Sequence, residues 1–251
     1  MTNQSAIAHR QFSLPRILLE VIVQTVADAR AAADGGADRL EVVRAIRDGG
    51  LTPPLSLVHA IAAETTLPLR VMVRENPGYD SNPAERRILQ GAAAELAAAG
   101  VHGLVAGFAR GGELALGDLS PVLDAAPGMR VTFHRAFDTL KDPDGAIDVL
   151  AGIPAIDRIL TSGGEGTALE RCARLQRYSM RAGSRIAIVA GGGVDEEALV
   201  MFAEAGCVRE IHVGRLAREG MDPEGPVAAA RVRRLRGLAD ASSVRSTELN
   251  P

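Results

Sequence analysis

Eight short apolar runs recur along the chain, and between them apolar residues return every three or four positions. A continuous run of four to eight such residues is the mark of a strand covered on both faces, whereas the longer period is that of an amphipathic helix. The strands expected are Arg16 to Val23, Asp38 to Val43, Leu69 to Val73, Val101 to Ala106, Arg130 to His134, Ala155 to Thr161, Arg185 to Ala190 and Arg209 to Val213. The first helices expected are Thr25 to Ala33, Leu55 to about Glu64, a long one from Ser81 or Asn82 to Ala99, and a short one from Leu119. Pro143 to Leu150, Gly166 to Ala182, Asp195 to Ala205 and Pro226 to Leu238 complete the set, and Gly107 to Gly117 reads as a glycine-rich loop. Three junctions repeat one device: Gly36-Ala37-Asp38, Gly100-Val101-His102 and Gly206-Cys207-Val208 each stop a helix and lead into a strand. Eight βα units in about 220 residues predict a single (β/α)8 barrel over residues 16–238. A doubly wound open sheet competes, but the count of eight and the lack of a G-x-G-x-x-G turn after the first strand favour the barrel. Residues 1–15 are expected to form a flexible arm, and residues 239–251, turning to Ser, Thr and Asn, a disordered tail.

Composition narrows the partners. Apolar residues make up 47% and aromatics only 3%, with no Trp, which suits helices packed on a sheet and offers no stacking surface for bases. The net charge of −3 leaves no nucleic-acid footprint; the basic stretch Arg231 to Arg236 fits the solvated face of the last helix. No run approaches the roughly 20 apolar residues of a membrane helix and no signal peptide is apparent, so the cytoplasm is expected. Cys172 and Cys207 are too few and too scattered for a disulfide framework or a metal knuckle, and their sulfurs are expected too far apart to share one metal.

A barrel of this kind works at the C-terminal ends of its strands. The polar residues expected there are Glu20, Glu41, Arg74, His134, Arg135, Asp138, Thr161, Ser162, Gly191 to Gly193 and His212. Glu20 and Glu41 each sit inside an apolar strand, where an unpaired charge costs several kcal/mol, so each needs a cation, a histidine or a shared proton. Alternation leaves open whether either faces inward or pairs outward with a helix arginine. His134 can carry a proton near neutral pH, Arg135 can grip an anion, and Asp138 can orient either. His59 and His102 read as structural: one lies in a helix, the other at the opposite end of its strand. Gly191-Gly192-Gly193 and Gly214-Arg215 follow the last two strands, where phosphate sites are commonly built. The alternative for the glycines is a tight turn alone.

Several strings carry a family resemblance: Gly36-Ala37-Asp38-Arg39-Leu40-Glu41, Gly49-Gly50-Leu51-Thr52-Pro53, Val131 to Asp138 (VTFHRAFD), Arg158 to Gly163 and Glu210-Ile211-His212. From Leu18 to about Arg215 the chain resembles the copper homeostasis protein family called CutC. The resemblance implies a cytoplasmic, homo-oligomeric (β/α)8 barrel that handles copper, with Glu20, Glu41, Arg74, His134, Arg135, Asp138 and His212 as its charged cluster. Where the family places cysteines in its first two strands, this chain has Ile22, Val23 and Val43; Glu75 to Tyr79 replaces an arginine- and glycine-rich loop, and Val213-Gly214-Arg215 replaces small residues.

Two function classes follow. A copper protein lacking mouth thiolates would use His134, His212, Glu20 and Glu41, donors suited to Cu(II), Zn(II) or another divalent ion. The other class is a lyase or isomerase on a small phosphorylated or carboxylated substrate, with Glu20, Glu41, His134, Asp138 and His212 as acid–base residues. Arg74, Arg135, Ser162, Gly191, Gly192, Gly193, Gly214 and Arg215 would then bind the substrate. A Schiff base is disfavoured because the only lysine, Lys141, opens a helix. An inert barrel acting through its surface is the third possibility.

Overall fold

The computed structural model describes residues 16–245. Its strands are β1 (Leu18–Val23), β2 (Arg39–Val42), β3 (Leu69–Met72), β4 (Gly103–Ala106), β5 (Ala109–Arg110), β6 (Glu113–Leu114), β7 (Val131–Phe133), β8 (Ile156–Thr161), β9 (Ala187–Ala190) and β10 (Glu210–Val213). Eight of them close into a barrel in the order β1-β10-β9-β8-β7-β4-β3-β2, every neighbour parallel, while β5 and β6 pair apart from it. The helices are α1 (Val26–Asp34), α2 (Leu55–Ala62), α3 (Pro83–Ala98), α4 (Leu116–Ala125), α5 (Pro143–Ala151), α6 (Ala168–Ala182), α7 (Glu196–Ala205) and α8 (Ala229–Arg245). The expected (β/α)8 barrel is therefore the fold. Capping boxes at Asn82–Glu85 and Thr167–Glu170 satisfy the first amides of α3 and α6.

Three expectations are corrected. The segment 107–117 is not a plain loop: Gly111 and Gly112, both at positive φ, turn β5 into β6, and α4 begins at Leu116 rather than Leu119. The closing helix continues to Arg245, so residues 239–245 are not a disordered tail. Ala239 is buried against the core, and Arg236 bonds Asp240, which holds the chain helical past its expected end. Residues 246–251 and the expected arm 1–15 lie outside the described residues. Lastly, the two cysteines are neighbours. Cys172 on α6 lies close enough to Cys207, just past α7, to help push its thiol up, and Ser179 on α6 donates to the Cys207 carbonyl at 3.1 Å. Packing of α6 along the end of α7 brings together what the chain separates.

The main apolar core lies between the sheet and the helices, from outward-facing residues such as Leu19, Leu40, Val71, Leu104, Phe133, Ile159 and Ile211. The barrel interior is different. Near the N-terminal ends of the strands a belt of charges crosses it: Arg39 bonds Glu20 and Glu210, and Arg158 bonds Glu210 and Asp157. Arg70 grips Asp157 bidentately at 2.6 and 2.8 Å and Thr132 at 2.9 Å. Such pairs are stable in a dry interior only because each charge is matched, and removing one partner strands the other. Gly103 makes room for Arg70: a Cβ there would stand 3.1 Å from its guanidinium carbon and 2.8 Å from the Arg130 carbonyl. Above the belt, Val43, Met72 and Val105, with Ile22 and Ile46 against them, form a small apolar cluster of their own.

Candidate active site

A cavity of about 280 Å³ opens above the belt at the C-terminal ends of the strands. Its polar lining comes from Glu41, Arg74, Tyr79, His134, Arg135, Gly192, Gly193, His212, Gly214 and Arg215. Its apolar lining includes Ile22, Ile46, Met72, Leu160, Val213 and Leu216, so a ligand would meet both apolar and charged surface.

Glu20 and Glu41 both face inward. Glu20 lies beneath the cavity, not on its surface; it is held by Arg39 and accepts from His212 Nδ1 at 2.7 Å. Burial alone would push the Glu20 carboxyl up, but the charges of Arg39 and then His212 hold it well below the ordinary range, so it stays ionised. Burial likewise opposes charge on His212, yet Glu41 and Glu20 outweigh it and raise the imidazole. Glu41 has no such clamp. Its Oε2 is buried without a hydrogen-bond partner, 3.7 Å from His212 Nδ1, and burial pushes its carboxyl up to about 7.

His134 behaves in the opposite way. It caps a short 3-10 turn, Arg135–Thr139, by accepting the Ala136 N–H at Nδ1, 3.2 Å away. Burial and then the charge of Arg74 press its pKa down to about 3, so the ring is neutral and its one proton sits on Nε2. That Nε2 is buried with no partner, and the residue is only 3% exposed. Gly107 gives the ring its place, since a Cβ there would lie 2.7 Å from Nδ1, and Tyr79 packs against the ring at 5.4 Å.

The other expected residues divide. Arg135 and Arg215 reach the cavity; Arg215 is exposed and makes no ion pair among the described residues. Arg74 lines the cavity as well, but spends its donors on the carbonyls of Gly49, Pro77 and Gly78, pinning two loops. Asp138 is not a cavity residue. It accepts from Thr161 Oγ1 at 2.6 Å, the Ser162 N–H at 3.0 Å and Arg135 Nε at 2.9 Å, so it fixes Arg135 and a loop and makes no bond to His134. Ser162 is likewise taken up by the loop, bonding Asp138, Gly164 and Arg171. Gly191 lies outside the lining; a Cβ there would meet Leu160 at 2.6 Å and His212 at 3.1 Å, so its smallness seats those two side chains.

Sequence reasoning passed over Arg39, Arg70, Tyr79 and Arg171. The first two carry the same signal as the glutamates, an ionisable residue inside an apolar strand. Arg171 on α6 carries none, because its hydrogen bonds go to carbonyls that the fold brings to it: Ser162 at 2.7 Å, Gly192 at 2.9 Å and Gly193 at 3.0 Å.

Copper can be tested against these donors. Cu(I) takes soft sulfur. Cys172 and Cys207 do not line the cavity, and burial, with Cys172 adding to it, pushes the Cys207 thiol far up, away from the thiolate a metal needs. Glu20, Glu41 and His212 do offer ligand atoms within 4.8 Å of one another, and His134 is not part of that trio. Yet His212 Nδ1 is engaged by Glu20, and Glu20 by Arg39, whose fixed positive charge disfavours a second cation there. Met72 brings a single thioether to the cavity lining, short of the sulfur set Cu(I) selects, so the residues at the mouth do not fit copper.

A family model described as the CutC family matches residues 17–216. The chain is 37% identical over 218 residues to a "family protein CutC" from Agrobacterium fabrum, with 84% of each chain covered. A relative of the same name from Caulobacter vibrioides is 36% identical over 206 residues, covering 80% of this chain and 82% of its own. Among solved structures, a CutC protein from Streptococcus agalactiae matches with a TM-score of 0.71 at 24% identity, over 78% of this chain and 97% of that one. The likeness to that structure is one of fold. Among the described residues, no helix is long and apolar enough to cross a membrane.

Proposed function

The chain belongs to the CutC family, and from that premise we propose that its barrel mouth is the active site of an acid–base enzyme, a lyase or isomerase acting on a small anionic substrate. The observation that carries this reading is the pair of orphaned polar atoms at one cavity: Glu41 Oε2 and His134 Nε2, each buried and each without a partner. A buried polar group left unpaired costs about 1–3 kcal/mol, and two at one cavity are accounted for if a ligand completes them. Their chemistry is complementary. Neutral His134 offers an N–H to a carbonyl oxygen and keeps it as negative charge develops. Glu41, with a pKa of about 7, is poised to remove a proton from the adjacent carbon. His212, kept protonated by Glu20 and Glu41, stands ready to return a proton to the neighbouring atom or to a leaving group.

The family's name points to copper homeostasis, and the donor set argues for proton chemistry. A role in copper tolerance would then run through the product of a reaction and not through a bound ion.

The test is exchange of carbon-bound hydrogen. Small carboxylates and phosphate esters bearing a proton next to a carbonyl are incubated with the protein in D2O and followed by NMR. Deuterium should enter at that carbon with the unmodified protein and fail to enter with Glu41→Gln. Exchange that survives Glu41→Gln, or a panel in which no member exchanges, would overturn the reading.

A further inference from the structure

The loops after β9 and β10 meet at one side of the cavity, and what holds the first of them lies outside it. Arg171 projects from α6 and donates to three loop carbonyls, that of Ser162 after β8 and those of Gly192 and Gly193 after β9. In a trans peptide the N–H points opposite to the C=O of the same unit, and no cis bond occurs among the described residues. With the Gly192 and Gly193 carbonyls tied to Arg171, the amides of Gly193 and Val194 are turned the other way. Gly192, Gly193 and Val194 all line the cavity, and neither amide donates to an acceptor of the described residues. Both Gly192 and Gly193 hold positive φ, at +80° and +66°, a conformation that lets the backbone come this close.

Two guanidinium groups complete the corner. Arg135 lies against Gly192, where a Cβ would stand 2.6 Å from its Nε and Cζ, and its Nε is fixed by Asp138. Arg215 enters from the other loop, unpaired. The corner does not depend on the α7 dipole, because Asp195 caps that helix through the Ala198 N–H at 2.8 Å. The independent sign of a ligand is His134, 97% buried by its 3% exposure, lining the same cavity with Nε2 unpartnered.

We propose that Gly193, Val194, Arg135 and Arg215 form a phosphate subsite, and that Arg171 is the positioning residue that builds it from behind. The proposal rests on the reading of the cavity as an active site and names the group that anchors the substrate: a phosphate monoester whose reacting carbon lies toward His134 and Glu41. Amides from one loop and guanidinium groups from two directions suit a tetrahedral group with three oxygens; a planar carboxylate would use one guanidinium fork and leave the amides idle.

Inorganic phosphate is the probe, titrated into 15N-labelled protein at pH 7 with ionic strength held constant. The Gly193 and Val194 amides should shift and saturate, and acetate over the same range should move them far less. Arg215→Ala should weaken the affinity tenfold or more with an unchanged thermal midpoint. Arg171→Leu should also lose phosphate binding, and Arg171→Lys, with one point charge for three carbonyls, should recover only part of it; if Arg171→Leu does not fold, Arg215→Ala decides. Glu41→Gln should bind phosphate as the parent does. A protein that binds phosphate but exchanges no hydrogen would refute only the catalytic reading, and one that exchanges but ignores phosphate would refute only the subsite. Unmoved Gly193 and Val194 amides, an equal response to acetate, saturation at shifts confined to other residues, or full affinity in Arg215→Ala would each overturn the proposal.

Discussion

The floor and the mouth of this barrel are built from the same residue types and obey opposite rules. On the floor, Arg39, Arg70, Arg158, Asp157 and Glu210 each meet an opposite charge, most of them two. One layer higher, Glu41 and His134 are equally buried and lack a hydrogen-bond partner for one polar atom each. Burial by itself therefore says little about function. A buried polar group that is fully matched is part of the framework, whereas two unmatched ones facing a single cavity are an address for something that binds.

The largest effect should come from breaking the floor. Arg39→Met leaves Glu20 with His212 alone and Glu210 with Arg158 alone, and should cost about 3–5 kcal/mol of unfolding free energy, read from urea denaturation at pH 7. A loss below 1 kcal/mol would mean that the belt is solvated and the contrast false.

Glu41→Gln should act in the opposite direction, and only at high pH. The Glu41 carboxyl goes from an ordinary 4.5 to about 7 on folding, so the folded chain holds that proton more tightly than the unfolded one. Its contribution is complete below the unfolded value and is lost as pH rises through about 7. Near pH 4 the two proteins should match; at pH 8 Glu41→Gln should be the more stable, by roughly 2–3 kcal/mol. Equal pH–stability curves would place Glu41 among the matched charges.

The smallest effect belongs to Arg215→Ala. An exposed arginine without an ion pair has little to lose, so stability should stay within about 0.5 kcal/mol by thermal melting. A loss of 2 kcal/mol would recast Arg215 as framework.

The period of the apolar runs made the barrel legible, because eight buried strands and eight amphipathic helices leave few other arrangements. The oddity of Glu20 and Glu41 was legible too; their direction was not, since a two-residue period becomes a direction only once neighbouring strands are in register. Asp138 and Ser162 looked like site residues because they end the right strands, yet their hydrogen bonds run into the loops beside them. Arg171 was invisible because its partners are carbonyls, which every residue carries. The two cysteines misled through distance along the chain, which helix packing cancels.

The hydrogen bond between Glu20 and His212 joins residues 192 positions apart, across the line where the first strand meets the last. Bringing such distant segments together is slow, because loop-closure entropy is lost before any contact repays it. Until β10 docks beside β1, Glu20 has no imidazole and His212 no carboxylate, so a chain still folding, or one cut short before its final strand, carries every residue of the floor's first half and no proton shuttle at all. The activity proposed for this barrel would thus report on closure of the ring: it should appear last during refolding, after the helical signal has already returned.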